Sequence, residues 1–181
     1  MNTAPVGASE AWSAREVLRR RAEELARPPE APVVGARLTE ILEFTLGRER
    51  YAFPSSCVRE VFRLSEITPL PGLPAHILGV INVRGRILSV VDIRRLLELP
   101  STGLSNLNKA IILRSREMEL AVLADEVRGV QVIDADDEAG VLPTLSAKQA
   151  QYLKVVTRDR VAVLDGEKLL ASRDLVVDGS H

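Results

Sequence analysis

HILGVINVRGRILSVVDIRRLL, His76 to Leu97, is a strand, a turn, a second strand and a helix start written without a break. Ile77 to Val83 is an apolar run of strand length, rich in the β-branched residues that suit a pleated surface. Arg84-Gly85-Arg86 interrupts it, and Gly85 can take the positive φ of a tight reversal. Ile87 to Val91 resumes as a second apolar strand, so a hairpin buried on both faces is expected. Asp92 stands ahead of Ile93-Arg94-Arg95-Leu96-Leu97, where its carboxylate can accept from the free N–H groups of a short helix. Leu99-Pro100 stops that helix, because proline disfavours α geometry in the residue before it.

The pattern repeats near the other end. Val155-Val156-Thr157 turns at Arg158-Asp159-Arg160 into Val161 to Leu164, followed by Asp165 and Leu169-Leu170. Each half therefore closes with a hairpin that feeds an Asp-x-x-x-Leu-Leu helix start. Short strands also fill the ground between. Leu42, Phe44 and Leu46 alternate with polar or small residues, and Gly47 to Arg50 turns the chain into Tyr51-Ala52-Phe53. Val58 to Leu64 is a strand with a charged face, on which Val58 and Glu60, two apart, are expected to share one side. Ile67 to Pro74 holds three prolines and reads as an extended loop. Ala110 to Leu113, Leu120 to Ala124 and Val127 to Ile133 follow, with Gly129 marking a bulge or a close neighbour. Ser146 to Tyr152 reads as a short helical or turn segment. So many short strands point to small closed barrels, which remove exposed sheet edges. Two units of roughly seventy residues would be marginal alone, so a shared apolar interface is expected.

The first residues read differently. Met1 to Glu10 is small and polar, and disorder is expected there. Ser13-Ala14-Arg15-Glu16 fits a capping box, and Ala14, Leu18, Ala22 and Leu25 put a narrow apolar stripe on one helix face. Pro28-Pro29 stops the helix, and a proline-stiffened linker follows. A stripe this poor in large side chains fits packing on its own domain better than docking a partner. The boundaries expected are an arm over residues 1–36 and one domain over 37–178.

Composition excludes more than it selects. Of 181 residues, 46% are hydrophobic and 27% charged, which describes an ordinary globular domain. The formal net charge of −1 offers no global attraction to nucleic acid or to an anionic membrane. Aromatics are only 3%, so an aliphatic core is expected and base-stacking platforms are not. The single cysteine, Cys57, excludes an internal disulfide framework and fits a reducing cytoplasm. No apolar run reaches the ~18 residues of a membrane span, and no leader pattern opens the chain.

Chemistry is thinly represented. Only His76 and His181 can exchange protons near neutrality, so Cys57, His76 and Asp92 are the one conceivable nucleophile, base and orienting acid. Cys57 reads better as a small core residue and His76 as a hydrogen-bonded strand start. Gly72 and Gly79 are isolated rather than part of a phosphate loop, and no Cys/His spacing fits zinc. Asp134, Asp136, Asp137 and Glu138 lack the turn glycine and closing glutamate of a calcium loop. No cofactor and no metal are expected. Arg84 stands apart: it is either a solvated turn arginine or a guanidinium presented on a hairpin to fork onto a partner.

Gly79-Val80-Ile81-Asn82-Val83-Arg84-Gly85, then Val90-Val91-Asp92-Ile93-Arg94, resembles the signature of CheW-like chemotaxis coupling proteins. The similarity extends from about Leu38 to Val177, through Val58-Arg59-Glu60-Val61, Leu123 to Val130, Tyr152 to Lys154 and Leu164 to Leu170. It implies a mainly β fold of two intertwined five-stranded barrels over a common apolar core, with short helices. It also implies a non-catalytic cytoplasmic adaptor, recruited to receptor arrays, that joins a chemoreceptor tip to the regulatory domain of a CheA-type histidine kinase. Contact with the membrane would be only indirect, through receptors. By position, Val58, Glu60, Gly79 and Arg84 match family residues implicated in receptor or kinase contact. Two departures stand out. Val155 replaces a family glycine and is expected to add a side chain near the barrel junction. The N-terminal helix is an addition to the minimal plan. A related pathway for surface motility or a nucleotide second messenger is the alternative within the class, and an enzyme using Cys57 and His76 the alternative outside it.

Overall fold

The structure, a computed structural model, describes residues 38–64, 66–99, 107–134 and 146–175. The expected N-terminal helix, its linker and most of the acidic loop lie outside these residues. Among the described residues ten strands form two five-stranded sheets. They are β1 (Leu38–Leu46), β2 (Glu49–Pro54), β3 (Val58–Arg63), β4 (Ile77–Val83), β5 (Arg86–Val91), β6 (Lys109–Arg114), β7 (Glu119–Ala124), β8 (Glu126–Asp134), β9 (Leu153–Val156) and β10 (Val161–Leu164). Among the described residues three short α-helices accompany them: α1 (Ile93–Leu96), α2 (Ala147–Tyr152) and α3 (Gly166–Leu170).

The first sheet runs β8-β1-β2-β10-β9 and the second β3-β6-β7-β5-β4. The two orders are the same design. In each, a hairpin (β4–β5 or β9–β10) joins a second hairpin through one parallel pair, β5 with β7 and β10 with β2. Every strand of a sheet contributes to one apolar cluster on its inner side, so each sheet curls into a barrel. Ile81, Val83, Leu88, Val90, Ala110, Ile112, Ala121 and Leu123 fill the second, with half-buried Phe62. Ile41, Ala52, Val161 and Val163 fill the first, with Ile133 and Val155. Val155 therefore packs inside the first barrel rather than at the junction expected for it.

Between the barrels lies a third and larger cluster. Leu42, Phe44 and Phe53 of the first sheet meet Ile111, Leu113, Leu120 and Val122 of the second, closed by Ile93, Leu96, Tyr152 and Leu169. Burial of each such side chain contributes about 1.5–3 kcal/mol. The aliphatic core expected from composition holds for the barrel interiors apart from half-buried Phe62, and the other aromatics among the described residues gather in this shared layer. Phe44 stacks on Phe53 with ring centroids 5.2 Å apart and on Tyr51 at 6.1 Å.

Local rules set the ends of the elements. Asp92 caps α1, accepting from Arg94 N at 3.1 Å, and Asp165 caps α3, accepting from Lys168 N at 3.0 Å. The repeated helix start is thus one device used twice. Ser146 and Gln149 close a capping box on α2. The bulge expected at Gly129 is present, as a register shift opposite Glu43 and Phe44. The hairpin at residues 77–91 departs from expectation: only its inner face is buried. Asn82 and Ile87 point outward, Ile87 with 65% of its surface exposed, because the shared core covers only the far end of this strand pair.

Candidate partner-binding surface

At one mouth of the second barrel the apolar interior gives way to charge. Leu88 on β5, Ile112 on β6, Ala121 on β7 and Phe62 on β3 line the interior, and two residues further along each strand stand Arg86, Arg114, Glu119 and Glu60. Arg86 bridges the two carboxylates, reaching Glu60 at 3.1 Å and also Glu119. Arg59 takes the other oxygen of Glu119, at 3.0 Å. The Arg86 guanidinium, helped by Arg59, holds the Glu119 carboxyl below its usual range against the opposing effect of burial.

Arg84 hangs over this mouth. Arg84 (φ 51°) and Gly85 (φ 84°) form a two-residue reversal between paired Val83 and Arg86, with both backbones left-handed. Glycine accepts that geometry freely, whereas an arginine there is strained by about 1 kcal/mol. Asn82 Oδ1 accepts from Gly85 N at 2.8 Å and braces the turn. The Arg84 side chain is 82% exposed, yet its Nη2 lies 3.3 Å from Glu60 Oε2. Arg84 is therefore solvated and at the same time oriented by Glu60.

Of the four residues expected at the surface, the structure brings Glu60 and Arg84 together and separates the other two. A bulge between Val58 and Glu60 breaks the two-residue alternation of β3. Val58 pairs with Leu113 on the shared-core side, and Glu60 pairs with Ile112 on the barrel-interior side. The expectation that they share a face is therefore wrong, because β6 fixes the register. Gly79 is buried, with φ 142°, and a Cβ added to it would lie 2.1 Å from the Thr68 carbonyl oxygen. Thr68 and Val80 exchange backbone hydrogen bonds of 2.8 and 2.9 Å, strapping the proline loop onto β4. Any side chain at Gly79 breaks that strap before it meets a partner.

The triad considered for catalysis is not assembled. Cys57 Sγ donates to Pro54 O at 3.0 Å, His76 Nε2 lies 2.7 Å from Asp174 O, and Asp92 binds Arg94 at 2.9 Å. Burial pushes the Cys57 thiol up to about 11, away from thiolate chemistry. Among the described residues no His, Cys, Asp and Glu group can hold a metal ion, and no helix is long and apolar enough to cross a membrane.

Sequence reasoning missed an apolar patch. Val130 and Val132 are 60% and 59% exposed on edge strand β8, beside Leu38 of β1 at 55%. Val130 pairs with Leu42, so the patch continues the shared-core side of the sheet into solvent. Beside it, Ser55 Oγ is buried without a hydrogen-bond partner in a recess that Leu38, Thr39 and Glu40 also line. The valines were visible in sequence, but the Gly129 bulge resets their alternation and hides which face is wet.

A two-barrel β scaffold with a strapped hairpin and an ion-paired mouth is the architecture of a binding protein. Comparison names the family. A model of the CheW-like domain matches residues 40–174, and the chain belongs to that family, whose members are non-catalytic signalling scaffolds. It is 24% identical over 143 residues to the chemotaxis protein CheW of Treponema pallidum, covering 75% of this chain and 84% of that one. It is 30% identical over 110 residues to the protein PilI of Pseudomonas aeruginosa, covering 61% and 62%. The crystal structure of the scaffolding protein TtCheW from Thermoanaerobacter tengcongensis matches with a TM-score of 0.59 at 25% identity, over 70% of this chain and 88% of that one.

Proposed function

We propose that this adaptor couples a chemoreceptor-type helical tip to the regulatory domain of a CheA-type histidine kinase. The observation that carries the reading is Arg84, held in a left-handed turn at the tip of a hairpin and oriented by Glu60 while almost fully exposed. The two-residue turn requires this left-handed backbone, and it fixes an exposed guanidinium where a partner can meet it. Val58, half buried where the shared core meets solvent, supplies apolar area near the same strand. Gly79 acts through the strap beneath the hairpin, so it supports the contact without touching it. The exposed aliphatic row of Leu38, Val130 and Val132 fits an amphipathic helix laid against the first barrel.

The domain is assigned to residues 37–178 and the arm to residues 1–36, with deletion of residues 1–34 expected to leave a cooperatively folding protein. Residence is assigned to the cytoplasm, at receptor arrays, with the membrane reached only through receptors. Titration of the full chain against a receptor tip and a kinase regulatory domain, separately, tests the coupling. Arg84→Ala should weaken at least one complex while its melting curve stays within about 0.5 kcal/mol of the parent. Unchanged binding to both by a folded Arg84→Ala variant sinks the assignment. Similarity to PilI as well as to CheW favours a second reading, an adaptor of a non-flagellar pathway. Deleting the gene and scoring swimming against surface spreading separates the two.

A further inference from the structure

His76, just before β4, and Tyr152, just before β9, are equivalent positions in the repeated plan. Each offers its backbone carbonyl to the capping aspartate of its own half. Asp92 N donates to His76 O at 2.8 Å, and Asp165 N donates to Tyr152 O at 2.7 Å. His76 leads into the second barrel and Tyr152 into the first, yet their side chains converge on one residue. His76 Nε2 lies 2.7 Å from Asp174 O, and Tyr152 OH donates to Asp174 Oδ2 at 3.0 Å. The acceptor facing His76 is a carbonyl, so Nε2 carries the proton. Lys148 Nζ, on the same helix as Tyr152, reaches the same carboxylate oxygen at 2.7 Å. Ser172 Oγ stands 2.7 Å from the Tyr152 hydroxyl oxygen. Asp174 lies in the short turn Arg173–Leu175, and its neighbour Leu175 is seated in the apolar layer shared by the barrels. Lys148 first and then Tyr152 hold the Asp174 carboxyl below its usual range, against the opposing effect of burial.

We infer that this turn is a clasp across the seam between the barrels: His76 and Tyr152 grip Asp174 at different atoms, and the grip opens and closes as a unit, carrying Leu175 out of or into the shared layer. One holder takes the backbone of Asp174 and the other its side chain, so loss of either grip weakens the other. The clasp can open locally. It is a single turn, and the Asp174 and Lys148 side chains are 38% and 33% exposed, so water can replace their ion pair. Apolar packing has no preferred direction, whereas hydrogen bonds do. Closed, the clasp therefore fixes how the barrels meet at this end of the shared layer. Open, it frees that seam while the ladders of both sheets stay intact. This role is conformational and stands apart from the coupling reading, since none of these residues belongs to the Arg84 turn or to β8.

The full chain has only two histidines, so the His76 ring is read directly by nitrogen NMR. At about pH 8.5, where an imidazole is neutral, the parent should hold His76 in the Nε2–H tautomer. Asp174→Ala removes the carboxylate but leaves the carbonyl that His76 contacts. Tyr152→Phe removes only the hydroxyl and keeps the ring in the core, so it serves even where Asp174→Ala does not fold. Each variant should return His76 to a mixture of both tautomers, although neither touches the histidine or its acceptor. Amide exchange at Leu175 should rise about fivefold for each hydrogen bond lost, with exchange in β6 and β7 as in the parent. A tautomer that stays locked in the folded variants overturns the inference, because each grip would then stand alone. Unchanged exchange at Leu175 overturns it as well. Faster exchange throughout both sheets would make Asp174 a determinant of global stability, and the clasp would fall with it.

Discussion

The two barrels close their charged mouths in opposite ways. In the first, Glu43 follows Ile41 on the inner side of β1 and is wholly buried. Arg50 clasps it with two hydrogen bonds of 2.7 and 3.0 Å, Arg128 approaches from the β8 bulge at 3.5 Å, and Arg50 also donates to Asp159 O at 3.1 Å. One carboxylate takes two cations and nothing is left over. In the second barrel, Glu60 and Glu119 sit at the same kind of position but keep about a fifth of their side-chain surface exposed, and a fourth arginine there, Arg114, has no ion pair among the described residues. A sealed ion cluster is a fastener. An open, unbalanced one is a surface that another molecule can complete.

That contrast makes Glu43→Gln the variant of largest effect. The buried carboxylate is held below its usual pKa range first by Arg50 and then by Arg128, against desolvation. A carboxyl whose folded pKa is lowered stabilises the fold above its unfolded value of about 4.3 and loses that contribution as pH falls through the folded value. Glu43→Gln should cost about 2–3 kcal/mol at neutral pH and flatten the acid limb of the stability curve. Thermal melts from neutral to acid pH check both, and a variant as stable as its parent would make the first cluster as dispensable as the second.

Glu60→Gln should show the reverse balance. Exposed pairs contribute little to folding, so its melting free energy should move by less than about 1 kcal/mol. Partner affinity should fall about fivefold, because Arg84 and Arg86 lose the carboxylate that orients them. Calorimetric titration beside a melting curve reads the two effects separately; a large loss of stability with intact binding would make this mouth a fastener too. The smallest effect belongs to Arg84→Gly. Removing a left-handed arginine should raise stability by a few tenths to about 1 kcal/mol while binding weakens. If stability drops instead, the Glu60 contact outweighs the backbone strain.

What could be read from sequence followed how local its cause was. The Arg84-Gly85 turn, the Asp92 and Asp165 helix starts and the short helix at Ser146 to Tyr152 depend on residues a few positions apart, and each stands as expected. The faces of Val58 and Glu60 were misjudged because the β3 bulge is set by β6, some fifty positions away. Gly79 is expected at the partner surface from family resemblance alone, and nothing in its own neighbourhood announces the Thr68 carbonyl packed against it. The barrel mouth was equally hidden. It exists only once β3, β5, β6 and β7 are laid side by side, and so Arg114 gave no signal as one arginine among many.

The crossing of the chain between sheets also constrains its order of assembly. β1 and β2 leave the ribosome first, but their parallel neighbour β10 and their antiparallel neighbour β8 come only after all five strands of the second sheet. The second barrel is contiguous in sequence and can close by itself during synthesis. The first hairpin must wait with Phe44 and Phe53 uncovered until the last strand arrives, and such exposed apolar strands invite aggregation. The early-closing barrel, by presenting Ile111, Leu113 and Val122 to those aromatics, offers them a cover before their own sheet is complete. The shared core thus also gives the early hairpin a place to shelter its aromatics during synthesis.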